Sequence, residues 1–239
     1  MKCFMTCLRT LTTHPLLFGI AAVLATAANS LAQEAPKGKS LFDGKTLNGW
    51  SGLQSNWRVE DGAITGQSLA DAPLKNNTFL VYEKSVGDFE LTCEFKITGG
   101  NSGIQYRSKV VDKDKFIVGG YQADIDSSKR YMGINYEERG RGILVERGEI
   151  VAIDEAGKKT RVGSCGDAEA LTSRFKMDDW NSYRIVAKGN VCQHFINGTL
   201  MSELQDGQKD KRAASGILAL QLHAGPPMKV QFKNIMLSE

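Results

Sequence analysis

Phe89-Glu90-Leu91-Thr92-Cys93-Glu94-Phe95-Lys96-Ile97-Thr98 alternates apolar and polar residues along its whole length. Side chains on a strand point to opposite faces with period two, so Leu91, Cys93, Phe95 and Ile97 share one face and Glu90, Thr92, Glu94 and Lys96 the other. This is the pattern of a half-buried strand, and it recurs on both sides. Downstream, Gly99-Gly100-Asn101-Ser102-Gly103 turns the chain into Ile104-Gln105-Tyr106-Arg107, and Gly119-Gly120 precedes Tyr121-Gln122-Ala123-Asp124-Ile125-Asp126. Upstream, Trp57 to Ile64 reads as two strands about an Asp61-Gly62 turn, and Thr78 to Tyr82 as another. Trp180 to Lys188, Val191 to Ile196, the Asn197-Gly198 hairpin signal, Thr199 to Met201, Gly216 to His223 and Lys229 to Leu237 complete the series. No helical period longer than a turn or two competes, and no fixed-length repeat appears. The expected fold is all-β, a two-sheet antiparallel jelly-roll sandwich. One parity of every strand fills the core, and curvature makes one outer face a concave groove. Trp50 and Trp57 are expected in the core. Asp154 to Met177 is polar and reads as a long excursion with one short helix near Asp167 to Leu171.

The N-terminus carries Lys2 and Arg9, an apolar run from Leu16 to Ala28, and Ser30-Leu31-Ala32 before Gln33. Basic start, short apolar run and small-x-small site form the layout of a secretory signal peptide over 1–32, and the run is too short for a membrane span. Residues 33–239 are then one exported domain, periplasmic or secreted. The near balance of 30 Lys and Arg against 27 Asp and Glu, without a basic cluster interleaved with aromatics, excludes a nucleic-acid footprint. Cys93, Cys165 and Cys192 allow at most one intramolecular disulfide, and Cys93, on the apolar parity of its strand, is expected to be a buried free thiol. No Cys or His spacing matches a zinc site. A Cys192/His194 pair lacks an orienting third group, so His194 is expected to be structural.

Three strands carry an unusual second face. Gln105 and Arg107 share one parity, as do Gln122, Asp124 and Asp126, and as do Gln221 and His223 of Leu218-Ala219-Leu220-Gln221-Leu222-His223. If these strands are neighbours, that face can bind a polyol and move a proton. Asp124 lies mid-strand, where a carboxylate needs a partner or a task, and is the leading candidate base. His223 can serve as base or proton donor near neutral pH. Arg107 can clamp Asp124 or Glu94 across strands, or face a developing oxyanion, and the two roles are compatible. Gln105, Gln122 and Gln221 offer amide donors and acceptors to vicinal hydroxyls, while Asp126, nearer its strand end, reads as a turn former. The stretch Tyr131 to Arg141 reads as a lid loop supplying Tyr131 and Tyr136 for stacking and Glu137, Arg139 and Arg141 for charge.

In order along the chain stand Leu41-Phe42-Asp43-Gly44-Lys45-Thr46-Leu47-Asn48-Gly49-Trp50, Trp57-Arg58-Val59-Glu60-Asp61-Gly62, Asn101 to Arg107, Gly120-Tyr121-Gln122, Trp180-Asn181, His194-Phe195-Ile196-Asn197-Gly198, Gly216 to His223 and Phe232-Lys233-Asn234-Ile235. Together they resemble the secreted 3-keto-disaccharide hydrolase family, with its concanavalin-like or laminin-G-like jelly roll, over essentially all of 33–239. The resemblance implies cleavage of the glycosidic bond of a sugar already oxidised at C3. The C3 ketone acidifies the C2 proton, so a base can form an enolate that expels the C1 substituent before water adds. Asp124 and His223 would be the acid/base pair, Arg107 the electrostatic stabiliser, and the three glutamines positioning groups. The small carbohydrate substrate would come from a sugar 3-oxidoreductase acting upstream. Laminin-G-like domains often hold calcium, which leaves a divalent ion open, although no Asp-x-Asp-x-Asp-Gly loop is present and no cofactor is assigned. The runner-up reading is a non-catalytic carbohydrate-binding module using the same concave face, and a third class is a surface interaction domain with a bland face.

Overall fold

The computed structural model describes Met1 and residues 38–239, so the leader expected at 1–32 lies outside the described residues apart from Met1. The chain runs through β1 (Lys39–Ser40), β2 (Trp50–Ser51), β3 (Trp57–Glu60), β4 (Ala63–Ser68), β5 (Thr78–Val86) and β6 (Phe89–Thr98). Next come β7 (Asn101–Asp112), β8 (Ile117–Asp126), β9 (Asn135–Glu138), β10 (Gly142–Val145), β11 (Glu149–Ile153) and β12 (Lys159–Ser164). The last part holds α1 (Ala168–Thr172), β13 (Asn181–Lys188), β14 (Val191–Ile196), β15 (Thr199–Asp206), β16 (Gly216–Leu222) and β17 (Met228–Ser238). Two sheets result. One has ten strands in the order β12-β11-β15-β14-β13-β6-β17-β4-β3, with β1 on β17; the other has seven in the order β10-β9-β8-β7-β16-β5-β2.

The alternating stretch that opened the sequence reading is β6, and its burial alternates residue by residue. Leu91, Cys93, Phe95 and Ile97 of β6 and Tyr183, Ile185 and Ala187 of β13 share one core with Ile104, Tyr106, Tyr121, Ala123, Ile125, Leu218, Leu220 and Leu222 of the facing sheet. Each large apolar side chain buried there contributes roughly 1.5–3 kcal/mol. Trp50 and Trp57 lie in the same core. Cys93, Cys165 and Cys192 are all free thiols.

The fold departs from the sequence reading in three places. Of the excursion from Asp154 to Met177, Lys159–Ser164 forms β12, an edge strand exposed along most of its length, so no apolar parity marks it. Its partner β11 pairs β15 in parallel, so the sandwich is not wholly antiparallel. The Tyr131 to Arg141 stretch is not a free lid, because Asn135–Glu138 and Gly142–Val145 form a hairpin that extends the seven-stranded sheet beside β8. The short helix stands where expected, with Asp167 capping it by accepting from the Ala170 amide.

Candidate functional site

Strands β8, β7 and β16 are consecutive neighbours at the centre of the seven-stranded sheet, so the three polar parities meet on one outer face. Gln105 stands opposite both Gln122 and Ala219, and Gly103 opposite Asp124. Having no side chain, Gly103 leaves room for Gln122 to lie across it toward Asp124; a Cβ there would sit 2.6 Å from Gln122 Cδ.

The amides and Asp124 form a directional chain. Ser108 Oγ donates to Gln105 Oε1 at 2.7 Å, Gln105 Nε2 donates to Gln122 Oε1 at 2.7 Å, and Gln122 Nε2 donates to Asp124 Oδ2 at 3.0 Å. Asn101 Nδ2 donates to Asp124 Oδ1 at 2.7 Å. A carboxylate only accepts, so Asp124 fixes the orientation of each amide behind it. Burial pushes the Asp124 carboxyl up to about 7; the Asn101 and Gln122 hydrogen bonds oppose that rise, and the negative charges of Asp126 and Glu138 reinforce it.

A pocket of about 440 Å³ opens over Asp124, within the roughly 300–1,000 Å³ usual for small-molecule sites. Gln122, Asp124, Tyr131, Tyr136, Gln221 and His223 line it, together with Asn77, Asn101, Asp126, Ser128, Ile134, Glu138 and Ile143. His223 Nδ1 donates to the Ala224 carbonyl, which only accepts. Gln221 is fully buried, and neither its Nε2 nor its Oε1 has a hydrogen-bond partner. Burial raises the Glu138 carboxyl above its ordinary range, against the Asn77 hydrogen bond and the neighbouring His223.

Four expected site residues are not brought to the pocket. Arg107 sits at a positive φ of 46°, where the β7–β8 register shifts, and this bulge takes its side chain out of the alternation. Its guanidinium instead donates to Gly87 O at 3.0 Å, Gly189 O at 2.8 Å and Asp88 Oδ1 at 2.7 Å, tying the β5–β6 turn to the β13–β14 turn. Gln105 keeps the expected face but is fully buried beneath Gln122. Glu137 pairs with Arg141, whose guanidinium also holds Asp206 of β15 at 2.7 Å, and Arg139 is exposed. Because the segment is strand, parity selects Tyr136 and Glu138 for the pocket and turns Glu137 away; reading it as a loop hid that alternation.

Asp126 is the turn former expected. Its carboxylate accepts from Ser128 N, Ser128 Oγ and Tyr131 N, and it also reaches the pocket wall. His194 is structural: it is fully buried, Nδ1 donates to Ile134 O at 3.1 Å, and Nε2 accepts from Tyr106 Oη at 3.0 Å. Burial drives its pKa down to about 3. With Ser202 Oγ donating to Gly133 O and Arg147 Nη1 to Met132 O, it pins the segment leading into β9.

A family model described as a 3-keto-alpha-glucoside-1,2-lyase-like domain matches residues 37–238, nearly the whole described chain. The chain belongs to this family. A 3-keto-disaccharide hydrolase of Bacteroides thetaiotaomicron is 40% identical over 85 residues, which is 32% of this chain and 29% of that relative, so the match spans under a third of either. Among solved structures, a Parabacteroides distasonis protein named as a glycosyl hydrolase superposes with a TM-score of 0.54 at 21% identity, covering 84% of this chain and 93% of that one. The carbohydrate-binding module CBM66 of Bacillus subtilis superposes at 0.53 with 15% identity, covering 80% and 96%. At these identities both likenesses concern the fold: a jelly-roll sandwich. Among the described residues no helix is long and apolar enough to cross a membrane.

Proposed function

We propose that this family member is an exported enzyme that cleaves the glycosidic bond of a 3-keto-glycoside or 3-keto-disaccharide, with Asp124 taking the proton from C2. The observation that carries the reading is Asp124 itself: a buried carboxyl lining the pocket, shifted to about 7 and held by neutral amide donors rather than by a cation. Such a group is a competent base near neutral pH. The proton leaves C2 for Asp124, the electron pair moves into the C3 enolate, and its return expels the C1 oxygen, which takes a proton from His223 or water. Addition of water to the resulting C1–C2 double bond completes hydrolysis; release before that step gives the elimination product.

The charge developing on the C3 oxygen needs a donor, and Arg107 is engaged elsewhere. The unpartnered Nε2 of Gln221 offers that donor, and its Oε1 an acceptor for a neighbouring hydroxyl. Gln122 positions Asp124, and Tyr131 and Tyr136 offer ring faces to the sugar or aglycone. An upstream sugar 3-oxidoreductase would supply the ketone. The fold shared with CBM66 supports a second reading, a binding module on the same face.

The test is aglycone release from 3-keto-glucosides and from the matching unoxidised glucosides, comparing the wild type with Asp124→Asn and His223→Ala. Turnover confined to the keto-sugars and reduced by orders of magnitude in the variants supports the enzyme. Binding without turnover across the panel leaves the binding module.

A further inference from the structure

Three carboxylates, Asp124, Asp126 and Glu138, line the pocket, and no Lys or Arg is among its lining residues. Elsewhere the chain treats enclosed carboxylates differently: Asp206 and Glu137, both largely buried, share Arg141 at 2.7 and 2.6 Å. In the pocket the hydrogen-bond partners are neutral, and the cationic groups acting on Glu138 are His223 in the lining and Arg139 outside it. Asp124 has Asn101 and Gln122, Asp126 has Ser128 and the Tyr131 amide, and the one hydrogen bond of Glu138 is from Asn77 Nδ2 at 3.3 Å. Three carboxylates facing one lining histidine leave negative charge that is costly to enclose unless a ligand supplies a further cation. Among the described residues the carboxylates do not gather into a group of three that would hold one metal ion. They are spread around a cavity of ligand size, beside the rings of Tyr131 and Tyr136. The protein already seats a cation on one of these rings, with the exposed Arg130 guanidinium 5.2 Å from the Tyr131 centroid. An independent observation points to a polar ligand: the buried amide of Gln221, part of the pocket lining, lacks partners at both ends.

We propose that the pocket selects glycosides whose aglycone carries a cationic amine, the ammonium seated against Glu138 and Tyr136 while Gln221 holds the sugar. This rests on the reading that the pocket binds a sugar, and it adds the charge of the group attached to that sugar. A negatively charged aglycone meets three carboxylates and is rejected.

The test is calorimetric binding of three unoxidised ligands that differ chiefly in charge: 2-aminoethyl, 2-hydroxyethyl and carboxymethyl α-glucosides, at low salt and after chelator treatment. The amine should bind about tenfold more tightly than the neutral ligand, as one uncompensated charge pair provides, and the carboxylate more weakly still. The advantage should shrink with added salt and disappear in Glu138→Gln that retains the wild-type melting profile. Equal affinities would mean that His223 already balances Glu138, and would overturn the proposal while leaving the sugar site intact. Tight binding of calcium or manganese that erases the amine's advantage would overturn it in favour of a metal seat. If no glucoside binds, the sugar reading fails with it.

Discussion

Gln105 Nε2 donates to Gln122 Oε1 at 2.7 Å, and this contact from beneath the pocket decides which end of the Gln122 amide meets Asp124. Gln105 touches no ligand space, yet it holds the proposed base in register. Gln105→Leu should strand the Gln122 carbonyl in a buried setting, costing about 1–3 kcal/mol of stability, while the Ser108 hydroxyl turns to the Tyr106 carbonyl it already reaches at 3.0 Å. It should lower kcat more than it raises KM. A denaturant titration and steady-state kinetics on the same sample check both.

Gly103 gives the same relationship a steric form. With a Cβ 2.6 Å from Gln122 Cδ, Gly103→Ala should push Gln122 off Asp124. The effect should be read in the pH profile as well as the rate, because one of the two donors that oppose the rise of the Asp124 pKa would be lost. The acid limb of activity should move to higher pH.

The folded pKa of Asp124, about 7, lies above its ordinary value of 3.8. The native state therefore holds a proton that the unfolded state has released between those values. Its contribution to stability is full below about 4 and is lost as pH rises through 7. Asp124→Asn should flatten the fall in melting temperature between pH 4 and 8, measured by calorimetry across that range. Activity has the opposite sign: the base form is needed, so rate should rise with pH through about 7 in the wild type.

Gln221 sets stability against function. Its amide is fully buried with neither end paired, so Gln221→Leu should leave the unliganded protein as stable as the wild type, or about 1–3 kcal/mol more stable. The same change should weaken ligand binding at least tenfold, as loss of a paired polar contact does. Melting and binding measured together separate the two effects.

Arg107 should behave in reverse. Arg107→Ala removes three donors that bind two turns together and should destabilise the fold by about 2–3 kcal/mol while leaving KM unchanged.

The contrast between Gln122 and Arg107 shows how far the sequence is legible. Period-two alternation identified the strands, the core parity and the face holding Gln122, Asp124 and Gln221, because one burial constraint acts on every second residue. It did not reveal the bulge at Arg107, since a positive φ on a non-glycine residue has no compositional signal. It also did not reveal Glu138: four-residue β9 lies among glycines and charges, and only its pairing with β8 establishes the parity. Asn77 and Asn101 reach the site from strand ends, where no periodicity marks them. Gly103 was visible as a turn residue, but its service as a gap beneath Gln122 depends on cross-strand register.

The central claim is that Asp124 removes the C2 proton of a 3-keto sugar. Its most direct measurement is the fate of deuterium at C2 in a 3-keto-glucoside labelled there. The account predicts a primary isotope effect on aglycone release, loss of the label to solvent, and disappearance of that exchange in Asp124→Asn. Aglycone release at the same rate with the deuterium still on C2 would contradict it, and would assign this pocket to a direct displacement at C1.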